Sequence, residues 1–145
     1  MDAELKREVL YDNYSNPKNR EENINDESYT YENANNASCI DNINLYIKFN
    51  GDIIEDIKFN GEACAISTAS TSIMIKELIG KTLDEALNFI DNFDNMVHEK
   101  KYDSSLFNEA IVFDEIYKQQ NRITCATLPY IGIKKAIEKY KNKDK

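Results

Sequence analysis

Residues 42–61 read NINLYIKFNGDIIEDIKFNG, and this stretch decides the fold. Ile43, Leu45, Ile47 and Phe49 alternate with Asn44, Tyr46 and Lys48, the period-two pattern of a strand with one buried face. Asn50-Gly51 is the pair favoured in a tight hairpin turn. Ile53, Glu55, Ile57 and Phe59 return as a second strand, and Asn60-Gly61 ends it. Beyond that point the period changes. Ala65 to Ile79 carries Ile66, Ala69, Ile73 and Leu78 among small Ser, Thr and Ala residues. This predicts a helix smooth enough to lie close against a sheet, closed by Gly80. Thr82-Leu83-Asp84-Glu85 has the form of a capping box, opening a helix with Leu83, Ala86, Leu87 and Ile90 on one face.

Toward the N-terminus, Ala3 to Tyr14 reads as a helix with Leu5, Val9 and Leu10 at helical spacing, closed by Asn16-Pro17. Lys18 to Asn36 is polar and loop-like, with a short edge strand over Ser28 to Tyr31. Toward the C-terminus, Ser104 to Gln120 is expected to contain a further helix. Leu128 to Lys141 is expected to form the last one, with Leu128, Ile131, Ile137 and Tyr140 as its core stripe. A hairpin followed by helices predicts an α+β fold, a small antiparallel sheet of about three strands with helices packed on one face. Residues 1–145 are expected to form one domain.

Composition narrows the function. With 41% hydrophobic and 30% charged residues the chain has a globular and not a disordered profile. The net charge of −8 argues against nucleic acid as a main partner, because phosphate neutralisation needs clustered Lys and Arg. The basic residues that gather from Lys134 to Lys145 read as a solvated helix end. No apolar run approaches the roughly 20 residues of a membrane helix. The N-terminus lacks a basic region followed by an apolar core, so a cytoplasmic location is expected, with no membrane partner.

The chemistry rests on Cys39, Cys64 and Cys125, with Asp41 two positions after the first. Three thiols and a carboxylate make a four-ligand set of the kind that holds zinc tetrahedrally. A hairpin returns its end to where it began, so Cys39 and Asp41, before the first strand, lie near Cys64, after the second. Cys125 has to join by tertiary packing. Cys64 and Cys125 are both placed at or just before predicted helix N-termini, where the dipole favours a thiolate. An odd cysteine count makes a disulfide framework a poor reading. Spacing and context alone leave a metal site and ordinary buried thiols both open.

Four ordered motifs carry a resemblance to the NifU/IscU scaffold superfamily. Asn16-Pro17-Lys18-Asn19 resembles its Asn-Pro-Arg-Asn element, and Asn36-Ala37-Ser38-Cys39-Ile40-Asp41 its first cysteine loop. Phe59 to Ser70 is similar to the second cysteine segment, and Arg122 to Leu128 to the third. The long interval from Cys64 to Cys125, and Thr124 where a histidine precedes the third cysteine in the IscU branch, resemble the SufU branch. His98 falls in that interval and reads as an exposed helix-end residue.

The resemblance implies zinc held by Cys39, Asp41, Cys64 and Cys125, and a zinc-dependent sulfurtransferase that accepts persulfide sulfur on Cys39 from a SufS-type cysteine desulfurase. It also implies delivery to downstream iron–sulfur assembly proteins, with Arg122 orienting Asp41 or the incoming sulfur. The alternative is an assembly scaffold that transiently binds the nascent iron–sulfur cluster on the same thiols. A third reading is a structural zinc protein. Ile40 stands where the family has glycine, so the loop before Asp41 is expected to follow another path.

Overall fold

The computed structural model describes residues 1–36 and 40–143. Asp2 caps α1 (Ala3–Ser15), its carboxylate accepting the Leu5 N–H. The Asn16 to Asn19 element then turns the chain. Asn19 takes φ 59°, a left-handed conformation that asparagine tolerates better than most residues. Its side chain donates to the Ile57 carbonyl at 2.9 Å, and its own carbonyl accepts the Phe59 N–H at 3.1 Å. The motif therefore ties the N-terminal segment to an edge of the sheet, through a parallel bridge from Arg20 to Phe59.

The sheet has three antiparallel strands in the order β1 (Thr30–Asn35), β2 (Asn42–Asn50), β3 (Ile53–Glu62). The edge strand runs further than the expected Ser28–Tyr31, because Asn33, Ala34 and Asn35 pair with Asn44, Ile43 and Asn42. Ile43, Leu45 and Ile47 face inward as their alternation requires. In β3 the phase shifts. A bulge leaves Glu55 without a partner between Asp56↔Lys48 and Ile54↔Phe49, so Ile54 is buried in place of Ile53. Each large side chain fully buried on this face stabilises the fold by about 1.5–3 kcal/mol over leaving it in water.

The helices pack on one face. α2 (Ala65–Leu78) and α4 (Gln120–Lys143) lie on the sheet, α1 packs on α2, and α3 (Leu83–Val97) on α4. α2 is buried almost all round, which its small hydroxyl residues allow. Ser72 donates to Asn13 of α1 at 2.7 Å, and Ser70 to the Ala126 carbonyl of α4 at 2.6 Å. The capping box opening α3 forms in both directions, Thr82 N–H to Glu85 and Glu85 N–H to Thr82. His98 closes that helix as an exposed C-cap.

Two helical expectations are corrected. Before Gln120 the Ser104 to Gln120 segment contains no α-helix; it folds as short 3₁₀ turns at Ser104–Leu106, Glu109–Phe113 and Ile116–Lys118. The Glu77 carboxylate fixes this segment by accepting the N–H groups of Asn108 and Ala110, bonds that a regular helix would keep internal. The last helix begins at Gln120, not Leu128, and runs through Pro129. Its buried face carries Leu128, Tyr130, Ile133 and Ile137, while Ile131 is exposed. α4 crosses the sheet so closely that a Cβ on Gly132 would lie 2.8 Å from Leu45 Cδ1 and 3.0 Å from Ala34 Cβ. Tyr140 stacks on Phe49 and donates to the Gly51 carbonyl, fixing the far end of α4 to the hairpin turn. No helix among the described residues is long and apolar enough to cross a membrane.

Candidate metal centre

Asp41 immediately precedes β2, and the register pairing Asn42 with Glu62 sets it beside the end of β3. Gly61 makes that closure possible. It takes φ +110°, and a Cβ there would sit 2.1 Å from the Asn42 carbonyl oxygen. Three residues on, Cys64 is the N-cap of α2. Its backbone N–H donates to Asp41 Oδ1 at 2.7 Å, and its Sγ lies 3.8 Å from Asp41 Oδ2. Cys125 reaches the same point from α4. The ligand atoms of Asp41, Cys64 and Cys125 all lie within 4.8 Å of one another, Asp41 buried and both thiols half-buried.

Cys39 lies outside the described residues. Ile40, next to Asp41, is 72% exposed, and the expected detour of the loop before it falls on residues outside the described ones. Arg122 is exposed, one turn before Cys125, and no ion pair or hydrogen bond joins it to Asp41 among the described residues. Arg122 instead lines a cleft beside α1.

Ser67 is the organising residue that the sequence reading passed over. Its hydroxyl lies 2.7 Å from Asp41 Oδ2 and 3.1 Å from the Cys125 carbonyl, so its single proton serves both acceptors. Its backbone N–H points at Cys64 Sγ, 3.4 Å away. Pro129 explains the carbonyl. Four residues after Cys125, it has no N–H to donate, and Ser67 supplies the missing donor. A serine three residues after a helix-capping cysteine, with a proline four after another, was the available signal.

The electrostatics follow from this packing. Burial pushes the Asp41 carboxyl up, but hydrogen bonds from Ser67, the Cys64 N–H and the two thiols outweigh it and hold the group below its usual range. Cys125 goes the other way. Burial first, then the neighbouring Cys64 and Asp41, push its thiol up to about 12. This corrects the expected thiolate at Cys125, whose premise was a position just before a helix. Lying inside α4, it gains no such help, and it faces negative neighbours.

The donor set fits zinc. The 3.8 Å between Cys64 Sγ and Asp41 Oδ2 is close to the tetrahedron edge of about 3.5 Å set by Zn–S of about 2.3 Å and Zn–O of about 2.0 Å. A cation would also offset the burial and the repulsion that push the Cys125 thiol up.

A three-stranded antiparallel sheet covered on one face by helices, with two thiols and a carboxylate gathered at one end, defines the class. The chain belongs to the family of NifU-like N-terminal domains, whose pattern matches residues 5–145. It is 38% identical over 136 residues to the zinc-dependent sulfurtransferase SufU of Bacillus subtilis, covering 93% of this chain and 90% of the relative. It is 41% identical over 109 residues to the iron–sulfur cluster assembly scaffold protein IscU of Streptococcus pyogenes, covering 74% and 69%. The crystal structure of a candidate iron–sulfur cluster assembly scaffold protein for the SUF system from Fervidobacterium islandicum superimposes with a TM-score of 0.81. That alignment has 33% identity and covers 94% of this chain and 99% of that one.

Proposed function

We propose that this chain is a zinc-dependent sulfur acceptor in iron–sulfur cluster assembly, working in the cytoplasm with a cysteine desulfurase of the SufS type. The observation that carries the reading is the convergence of Asp41, Cys64 and Cys125 from three separate elements at one end of the sheet. With Cys39 they would complete a tetrahedral donor set, and bound zinc would supply a stabilised thiolate shielded from oxidation. Asp41 is the donor best suited to remain in place, being ionised and anchored by Ser67 and the Cys64 N–H.

Sulfur acceptance is a thiol–persulfide exchange. The Cys39 thiolate attacks the terminal sulfur of the desulfurase persulfide, a new S–S bond forms on Cys39, and the donor cysteine leaves as its thiolate. No net oxidation occurs. Arg122, exposed one turn from Cys125, would meet the arriving donor sulfur. Delivery to downstream assembly proteins would reverse the same exchange. The resemblance to a protein named IscU supports a second reading, in which the thiols hold a nascent cluster as cargo.

The test combines metal analysis with transfer of ³⁵S from cysteine through a SufS-type desulfurase, for wild type and Cys39→Ala. About one zinc per chain with label on the wild type alone supports the relay. Zinc without label on either protein refutes it and leaves a structural role. Retention of a cluster through purification would favour the cargo reading.

A further inference from the structure

A cleft of about 260 Å³ lies between α1, the start of α2 and the start of α4, with the 3₁₀ segment as its outer wall. Its floor is apolar, made by Leu10, Ile66, Val112 and Ile116. Its rim is basic. Lys6, Arg7, Lys118 and Arg122 line it against a single acid, Glu115, in a chain whose net charge is −8. Lys6 is committed to Asp114 at 2.5 Å and Lys118 to Glu115 at 3.5 Å. Arg7 and Arg122 are exposed and have no ion pair among the described residues. Two arginines with no ion-pair partner among the described residues therefore line an apolar trough, with Ile66 two residues from Cys64 and Arg122 three from Cys125.

We infer that this cleft is a docking site for an acidic segment of a partner protein that presents an apolar side chain beside carboxylates. The charge of the rim selects the sign, and the planar guanidiniums suit carboxylates in particular. Size selects a peptide over a free small molecule. Ligand pockets run from roughly 300 to 1,000 Å³ and enclose most of the ligand, whereas this cleft is smaller. It accommodates one side chain of a body that stays outside. Such a segment seated here would lie beside the thiol and carboxylate cluster without entering it. The inference needs neither zinc nor sulfur transfer, so it fails or stands separately from the proposed function.

The test is a ¹⁵N NMR titration of the metal-free protein with the peptide acetyl-Glu-Glu-Leu-Asp-Phe-amide. Shifts are expected to cluster at Leu10, Ile66, Val112 and Ile116. The charge reversals Arg7→Glu and Arg122→Glu together are expected to weaken binding by about tenfold, and added salt to weaken it further. Lys135→Glu, roughly 20 Å further along α4 at 1.5 Å per residue, makes an equivalent change of charge and is expected to leave binding intact. The spectra report the fold of each variant directly. Four results would overturn the inference: no shifts at millimolar peptide, shifts centred elsewhere, equal binding of a peptide with lysine in place of its acids, or indifference to the arginine reversals. Binding of 3-phenylpropionate as tight as that of the peptide would also overturn it, by making the cleft a small-molecule site.

Discussion

Ser67→Ala tests the account of the centre most directly, because one hydroxyl is asked to hold two elements together. The substitution removes the 2.7 Å hydrogen bond to Asp41 Oδ2 and the 3.1 Å contact to the Cys125 carbonyl, in a residue with no solvent exposure. A hydrogen bond to a buried charged group contributes about 1.5–3 kcal/mol. For a chain of this size each kcal/mol moves the melting temperature by roughly 2–4 °C, so the metal-free variant should melt roughly 3–12 °C lower at neutral pH.

The pH dependence has a definite sign. A depressed carboxyl contributes stability above its unfolded pKa and loses it as pH falls through the folded value. Without Ser67 the Asp41 carboxyl moves up, so the gap between wild type and variant should shrink as the pH drops below about 4. Ser70→Ala is the control. It breaks a neutral bond to the Ala126 carbonyl, should cost about 1 kcal/mol, and should show no such pH dependence. Thermal melts across pH in the presence of a chelator decide the matter. A Ser67→Ala protein melting within about 1 °C of wild type at neutral pH, or a deficit undiminished in acid, would refute the reasoning.

Other outcomes follow from the same geometry. Gly61→Ala should cost about 3 kcal/mol or more in urea unfolding, since it combines a strained φ with a clash against the Asn42 carbonyl; a midpoint near that of wild type would show that this strand end can relax. Burial raises the Glu77 carboxyl, so wild type should lose stability as pH rises from the ordinary carboxylate value of 4.5 toward the folded one. Glu77→Gln should flatten that slope in pH-dependent unfolding, and an unchanged slope would assign it to another group. In metal-free protein, alkylation of Cys125 followed by peptide mass spectrometry should keep accelerating well above pH 9, because its thiol is held near 12. A plateau near pH 8 would mean that burial and the negative neighbours do not govern it.

The parts of this fold that could be read from sequence are those with local causes. The alternation of Ile43, Leu45 and Ile47 and the Asn50-Gly51 turn specify the hairpin, and the hairpin alone brings Asp41 to Cys64. Thr82 and Glu85 specify their own cap. What could not be read depends on distant partners. Pro129 looks like the second residue of a helix starting at Leu128, but Ser67 and Ser70 supply donors to the Cys125 and Ala126 carbonyls, and α4 extends eight residues further back. That extension moves Cys125 from a helix entrance to a helix interior and reverses the expected effect on its thiol. The segment from Ser104 to Gln120 has helical composition, yet Glu77, some thirty positions earlier in the chain, captures two of its N–H groups. The Glu55 bulge has no marker at all in the strand pattern.

The close crossing at Gly132 gives α4 the mechanics of a balance beam. The helix has 24 residues, about 36 Å at 1.5 Å per residue, and its tightest contact with the sheet falls near the middle. Cys125 lies seven positions to one side of Gly132 and Tyr140 eight to the other, arms of roughly 10 and 12 Å. With arms so nearly equal, a rigid tilt about this contact would displace the two ends by similar amounts in opposite directions. The end away from Cys125 bears on the Tyr140–Phe49 stack and the bond to Gly51. The hairpin tip, at the far end of the sheet from the chemistry, thus touches the same helix that carries Cys125.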